Sequence, residues 1–172
     1  MNKLKIFGFT YLLVLISNLV IGQNEFKIRY AKTAELFINE ISIDSNVTME
    51  NLIKTFGEPS GKAKNKKGEI SYFYENSGVV FFTSDGVING IGVNFNWDGD
   101  IKFPKSSFVG TLNIGEQKID KDTKSESIAS IKSIEFICPF PMMCASKDKK
   151  VRVKCTVGFK ETKLTQIVFF MK

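Results

Sequence analysis

Between residues 70 and 96, aromatic and β-branched side chains come in three runs, 70–75, 78–83 and 87–96. Asn76-Ser77-Gly78 and Ser84-Asp85-Gly86 separate them. Glycine tolerates positive φ and asparagine or aspartate closes tight turns, so the three runs read as strands of an antiparallel meander. The end of the chain repeats the theme in strands near 132–139, 150–159 and 163–171. There Val151, Val153, Cys155, Val157 and Phe159 alternate with Arg152, Lys154, Thr156 and Lys160. Period-two alternation of this kind buries one face of a strand and leaves the other toward water.

Helices enter as short interruptions. Residues 36–43 read as a strand with Phe37, Ile41 and Ile43 on one face. Thr48 then caps a helix, Glu50 faces the helix dipole in the first turn, and Met49, Leu52, Ile53 and Phe56 form the apolar stripe. Gly57 and Pro59 stop it after about two turns. A strand at 108–114 and a second helix at 121–131, with Ile128 and Ile131 inward, restart the order. The expected class is α+β: an antiparallel sheet with short helices on one face. Phe37-x-x-x-Ile41-x-Ile43 can be laid on Phe108-x-x-x-Leu112-x-Ile114, and Ile91-Gly-Val93 on Ile167-Val-Phe169. This reads as two tandem β-α-β-β-β units, with halves at 36–97 and 106–172. Generic strand alternation accounts for the same match.

Residues 1–22 have the three parts of an export signal. Lys3 and Lys5 precede an apolar run over 6–16, and Val20-Ile21-Gly22 offers small or modest residues to a signal peptidase, which predicts cleavage before Gln23. The run is shorter than the roughly 20 residues of a comfortable bilayer span, so no membrane span is expected after cleavage. Residues 23–35 read as a flexible lead-in to a single domain over 36–172. The expected location is periplasmic or extracellular.

The formal charge of +6 falls once the two signal lysines leave. Lys62, Lys64, Lys66 and Lys67 lie in a Gly- and Asn-rich stretch that reads as a solvated hairpin loop. Lys147, Lys149, Lys150, Arg152 and Lys154 form a second basic run. Neither carries the interleaved aromatics or module of a nucleic-acid binder. Three cysteines in an oxidising compartment allow one disulfide. Cys138 and Cys144 bracket Pro139-Phe140-Pro141-Met142-Met143, a segment able to fold back on itself, and make the preferred bridge. Cys138–Cys155 is the alternative, although Cys155 falls on the buried face of its strand.

Catalytic chemistry finds little footing. The chain has no histidine, which removes the commonest general base and metal ligand. Phosphate-cradling glycine loops are missing. Asn94-Phe-Asn96-Trp-Asp98-Gly99-Asp100 has oxygen side chains at alternate positions, but the twelfth position is Lys105, where a calcium loop needs a glutamate. The pairs Asp98/Asp100 and Asp120/Asp122 lie in polar linkers, unsuited to acid–base work near neutral pH. We therefore expect no catalytic residue, no metal and no cofactor. Sixteen phenylalanines, four tyrosines and one tryptophan remain. Aromatics near a strand end or on an open sheet face suit interface anchors, so Trp97, Tyr72 and Tyr74 are the candidate interface. For any single one of them a core position is the simpler account.

The run Ile41-x-Ile43, Thr48-x-Glu50-x-Leu52-x-x-x-Phe56-Gly57-x-Pro59, Tyr72-x-Tyr74, Gly78-Val79, Asp85-Gly86-x-Ile88 resembles a class of small secreted bacterial domains. In these, a helix leads into a meander, as in the outer-membrane assembly lipoprotein BamE and the β-lactamase inhibitory protein. Phe108-x-Gly110-x-Leu112-x-Ile114 is similar to the second half of an uncharacterised secreted family. The resemblance implies a helix-then-meander fold and a protein-binding habit, and brings no catalytic residue. The expected function is a non-enzymatic, inhibitor- or immunity-like domain whose partner is another protein. An envelope assembly factor is the alternative, and an enzyme of unrecognised type the third reading.

Overall fold

The computed structural model describes residues 25–44, 46–147 and 152–172. The proposed signal peptide and its cleavage site lie outside them. Two sheets pack face to face. The smaller contains β1 (Phe26–Tyr30), β2 (Leu36–Ile38), β3 (Ile41–Ile43), β8 (Gly110–Ile114) and β9 (Gln117–Ile119), in the order β3-β2-β1-β8-β9. The larger runs β10-β11-β12-β13-β7-β6-β5-β4. Its strands are β4 (Gly61–Lys64), β5 (Ile70–Tyr74), β6 (Val79–Ser84), β7 (Val87–Asn94), β10 (Phe136–Phe140), β11 (Met143–Ser146), β12 (Val153–Lys160) and β13 (Lys163–Met171). Among the described residues only α1 (Met49–Phe56) and the single turn α2 (Ser125–Ala129) are α-helical.

This overturns the α+β expectation. The protein is predominantly β, and a second sheet, not a layer of helices, covers most of the buried face. The reason lies in residues 23–35, read as a flexible lead-in. Phe26, Ile28 and Tyr30 alternate with Lys27 and Arg29, and all three point into the core. β1 is the middle strand of the small sheet, antiparallel to β2 and parallel to β8. Phe26 meets Phe56 of α1, Tyr74 of β5 and Phe81 of β6, with ring centroids 4.9, 5.4 and 6.1 Å apart. The Tyr30 ring lies 5.5 Å from that of Phe169, and its hydroxyl donates to the Val153 carbonyl at 2.8 Å. Burying two such rings contributes about 2–3 kcal/mol each, so this segment ties the sheets together.

The expected strand at 36–43 is a hairpin, because Asn39 and Glu40 both take positive φ at its tip and so match the twist of a two-residue turn. The lysine-rich loop contains the edge strand β4, whose Lys62 and Lys64 are exposed, a common protection of a free edge. α1 forms as expected. The Thr48 hydroxyl accepts from Asn51 N–H at 3.3 Å while the Asn51 side chain accepts from Thr48 N–H, and Gly57 N–H closes onto Ile53. The helix at 121–131 shrinks to one turn: Lys124 provides no side-chain cap, and only Ile128 of that turn is buried.

The chain does repeat, in a different unit and register from the one expected. Leu36, Ile38, Ile43, Asp44, Glu50 and Leu52 recur at one constant separation as Leu112, Ile114, Ile119, Asp120, Glu126 and Ile128. Leu36 pairs with Ile43 in the first hairpin and Leu112 with Ile119 in the second. Asp44 accepts from Asn46 N–H at 2.8 Å, and Asp120 from Asp122 N–H at 3.0 Å. Further on, Phe82/Thr83 and Gly158/Phe159 mark register shifts at matching places. The turns beyond them, Asp85-Gly86 and Glu161-Thr162, both have positive φ. Each unit is therefore a hairpin, a helix and a four-stranded meander, not β-α-β-β-β. The two meanders meet where Gly92 pairs with Val168, flanked by Val93–Ile167 and Ile91–Phe169. Gly92 and Val168 are themselves equivalent positions, so an approximate twofold passes between them. Laying Phe37 on Phe108 misaligned the hairpins: Phe37 lies in β2 under the Arg29 guanidinium, whereas Phe108 precedes β8 and packs edge-on to Phe95.

Candidate functional site

The inner faces of both sheets are spent on the core, so a site must be on an outer face, at an edge or in a loop. Tyr72 and Tyr74 do not reach the outer face. Tyr72 pairs with the buried Phe81 and packs on the core cluster. Tyr74 is buried, donates its hydroxyl to the Gly57 carbonyl at 2.7 Å and so anchors the end of α1. Burial, with the Glu58 carboxylate nearby, pushes its pKa up to about 12. Both belong to the core, because odd and even positions of β5 face opposite ways and the even ones face inward. Trp97 is 43% exposed. It sits in the linker after β7, its indole N–H donates to the Asp100 carbonyl at 3.2 Å, and the Lys105 ammonium lies 5.6 Å from the ring centroid. The structure does not bring the three together.

The same linker shapes the outer face. The Glu75 carboxylate accepts from the N–H groups of Lys105 and Ser106, and the buried Asn94 side chain donates to the Ser106 carbonyl at 2.9 Å. Phe108 N–H donates to the Asn94 carbonyl at 2.6 Å. Pinned in this way, the linker folds back over the first meander and lays Phe103 on Gly92, edge-on to Phe82 at 6.3 Å. A side chain at position 92 would collide with that ring and with Val80, at 2.7 Å from each. Gly92 is thus the seat for Phe103, while Gly90 lies against Phe82.

The outer face of the second meander has no such cover among the described residues. Register places Ile137, Ala145, Thr156 and Val168 in one cross-strand row that continues into Gly92 and Val80. Phe140, Met143, Gly158 and Gln166 form the next row, and Lys154, Phe170, Gly90 and Phe82 flank it on the other side. Ile137 is 46% exposed, Phe140 61%, Met143 39% and Phe170 47%. A groove of about 630 Å³ crosses the middle of the sheet, walled by Phe82 and Phe103 on one side and by Val168 and Phe170 on the other, with Glu69, Asp100 and Lys102 at its rim. Cys138 and Cys144 are joined across the β10–β11 hairpin and hold this end of the strip in shape, while Cys155 is free and buried. Burial pushes the Cys155 thiol pKa well up, so it is inert near neutral pH. Alternation at Ile137 and Met143 was available as a signal, but the bulge between Ile137 and Phe140 hid which side they share.

The calcium-like run is taken up by structure: Asn94 is buried, and Asp98 accepts from Asp100 N–H and from the Gln166 side chain. Among the described residues no three of Cys, Asp and Glu gather as a metal site, and no helix is long and apolar enough to cross a membrane.

Fold and face together define a two-layer, predominantly β protein built from two hairpin–helix–meander units, with the outer face of the second meander uncovered among the described residues. The chain belongs to the family of the domain of unknown function DUF7738, which matches residues 27–129, from β1 through α2. That assignment replaces the likeness to BamE and the β-lactamase inhibitory protein. Among solved structures the chain is similar to an extracellular protein containing an SCP domain from Bacillus anthracis str. Ames, at 14% identity and a TM-score of 0.46. The similarity covers 76% of this chain and 44% of that one, so the chain spans less than half of that protein. No curated protein matches it.

Proposed function

We propose that this is an exported, non-enzymatic domain that binds another protein through the outer face of its large sheet. The observation that carries the reading is the apolar strip formed by Ile137, Phe140, Met143 and Phe170 beside the groove. Contiguous exposed apolar side chains are costly in water and uncommon on a protein that meets no partner. Aromatic and methionine side chains are also the types enriched where protein surfaces meet. Export is supported by the residue 1–22 pattern and by the disulfide, which persists in oxidising compartments. The partner contacts move accordingly from Trp97, Tyr72 and Tyr74 to the strip.

The test is capture from the envelope fraction with the mature chain and with an Ile137→Asp/Phe170→Asp variant. Both positions are exposed, so the variant is expected to keep its circular dichroism and melt within a few degrees of the parent. The parent retains one stoichiometric partner and the variant loses it. Retention of that partner by the folded variant overturns the reading.

A further inference from the structure

Resting on that reading, we propose what the partner presents: an extended acidic segment with an aromatic side chain that seats over Gly158. The protein already contains one example of how such a face is covered. In the first unit a non-helical segment crosses the outer face and lays Phe103 over Gly92, against Val80 and Phe82. The approximate twofold carries those three positions onto Val168, Thr156 and Gly158. The second seat thus has glycine where the first has Phe82, and Val168 where the first has Gly92. The place for a ring moves from above the β7 glycine to above Gly158, beside Val168. Nothing fills it among the described residues, and Thr156, Gly158 and Val168 are each partly open to solvent.

Charge selects the flanks of the segment. Lys154 pairs with Phe170 on this face, and Lys160 pairs directly with Lys163 at the end of the β12–β13 hairpin. Two like charges set opposite each other across an antiparallel pair are unfavourable. None of these three lysines has an ion-pair partner among the described residues. Glu161 in the turn between Lys160 and Lys163 and Asp98, held by the Gln166 side chain, leave the three lysines in excess by one, and Glu135 before β10 is paired with Lys147. An acidic segment relieves this repulsion and covers the ring seat together. A second copy of the chain would bring the same basic strip against itself, and is disfavoured.

A short synthetic peptide with Asp and Glu alternating about one central phenylalanine is the probe, titrated into the isotope-labelled mature chain. The expected result is amide shift changes centred on Thr156, Gly158 and Val168, with binding at least about tenfold weaker for the Phe→Ala peptide and abolished when its acids are replaced by lysine. Gly158→Val fills the seat beside the β12 register shift, at a position without positive φ where a Cβ meets the Thr165 hydroxyl at 3.4 Å and where the equivalent residue of the first unit is Phe82. It should keep the fold and lose the peptide. Shifts elsewhere, indifference to the acids, or binding only to vesicles of anionic phospholipid overturns the proposal. Applied to envelope capture, the same variant separates the two ideas. Loss of the partner with Phe170→Asp but not with Gly158→Val leaves the sheet-face reading standing and removes this one, whereas retention by both removes both.

Discussion

Tyr74 shows how a side chain that looks like a surface anchor in the sequence serves the core. Its phenol is neutral in the fold, and its pKa is raised to about 12 by burial first and by Glu58 second. The ordinary value near 10 applies when the chain unfolds. This contribution to stability is therefore fully present below about pH 10 and is lost as pH rises toward 12, by on the order of 2–3 kcal/mol in all. Denaturant unfolding followed from pH 9 to 12 should show the loss. Tyr74→Phe should remove most of that slope, and should cost about 1 kcal/mol at neutral pH through the missing bond to Gly57. Phe26 is the converse case, a residue in an apparent lead-in that is almost wholly buried among three rings. Phe26→Ala should cost about 3–5 kcal/mol by equilibrium unfolding. Trp97→Ala should cost under about 1 kcal/mol, because the ring is half open and held by one hydrogen bond. Iodide should quench Trp97 emission in the native protein.

At the scale of elements, the β10–β11 hairpin and the linker after β7 decide what the outer face offers. The Cys138–Cys144 bridge closes a short loop. Cys138→Ser/Cys144→Ser is expected to lose about 2 kcal/mol of stability by the loop-closure relation. Thiol counting on native protein should find one thiol, Cys155, that reacts only as the chain unfolds. The linker is tested by Gly92→Ala, whose methyl would meet Phe103 and Val80 at 2.7 Å. Because the linker is irregular, it should yield before the sheet does. The expected outcome is a loss of about 1–3 kcal/mol, with faster proteolysis at 97–108 than in the parent.

For the whole molecule, the two units are not two domains. β1 lies between the hairpins of both units, and β7 and β13 join the meanders into one sheet. Neither half buries its core alone, since Phe26 and Tyr30 touch residues of both units: Phe81 in one, Phe169 in the other. Calorimetry should show a single transition whose van't Hoff and calorimetric enthalpies agree. The fragments 25–97 and 106–172, made separately, should each lack cooperative unfolding. A stable fragment of either kind would refute this account of the fold.

The elements fixed by local chemistry were legible in the residues: the Thr48 cap and Gly57 stop of α1, the Asp85-Gly86 turn and the alternation of β12. Each depends on side chains a few positions apart; the repeat is legible too, but only once Leu36–Leu52 is set on the distant Leu112–Ile128. Tertiary structure decided what lies on top of what. Phe26-x-Ile28-x-Tyr30 carries a strand's alternation, but the sequence does not say that it pairs parallel with a strand some eighty residues later. Nor does it say whether an outward side chain is covered. Phe103 and Phe170 are the same residue type, and a pinned linker buries one while the other stays half exposed. The reason is physical. Periodicity sets which way a side chain points, whereas exposure depends on whether a distant segment returns to cover it.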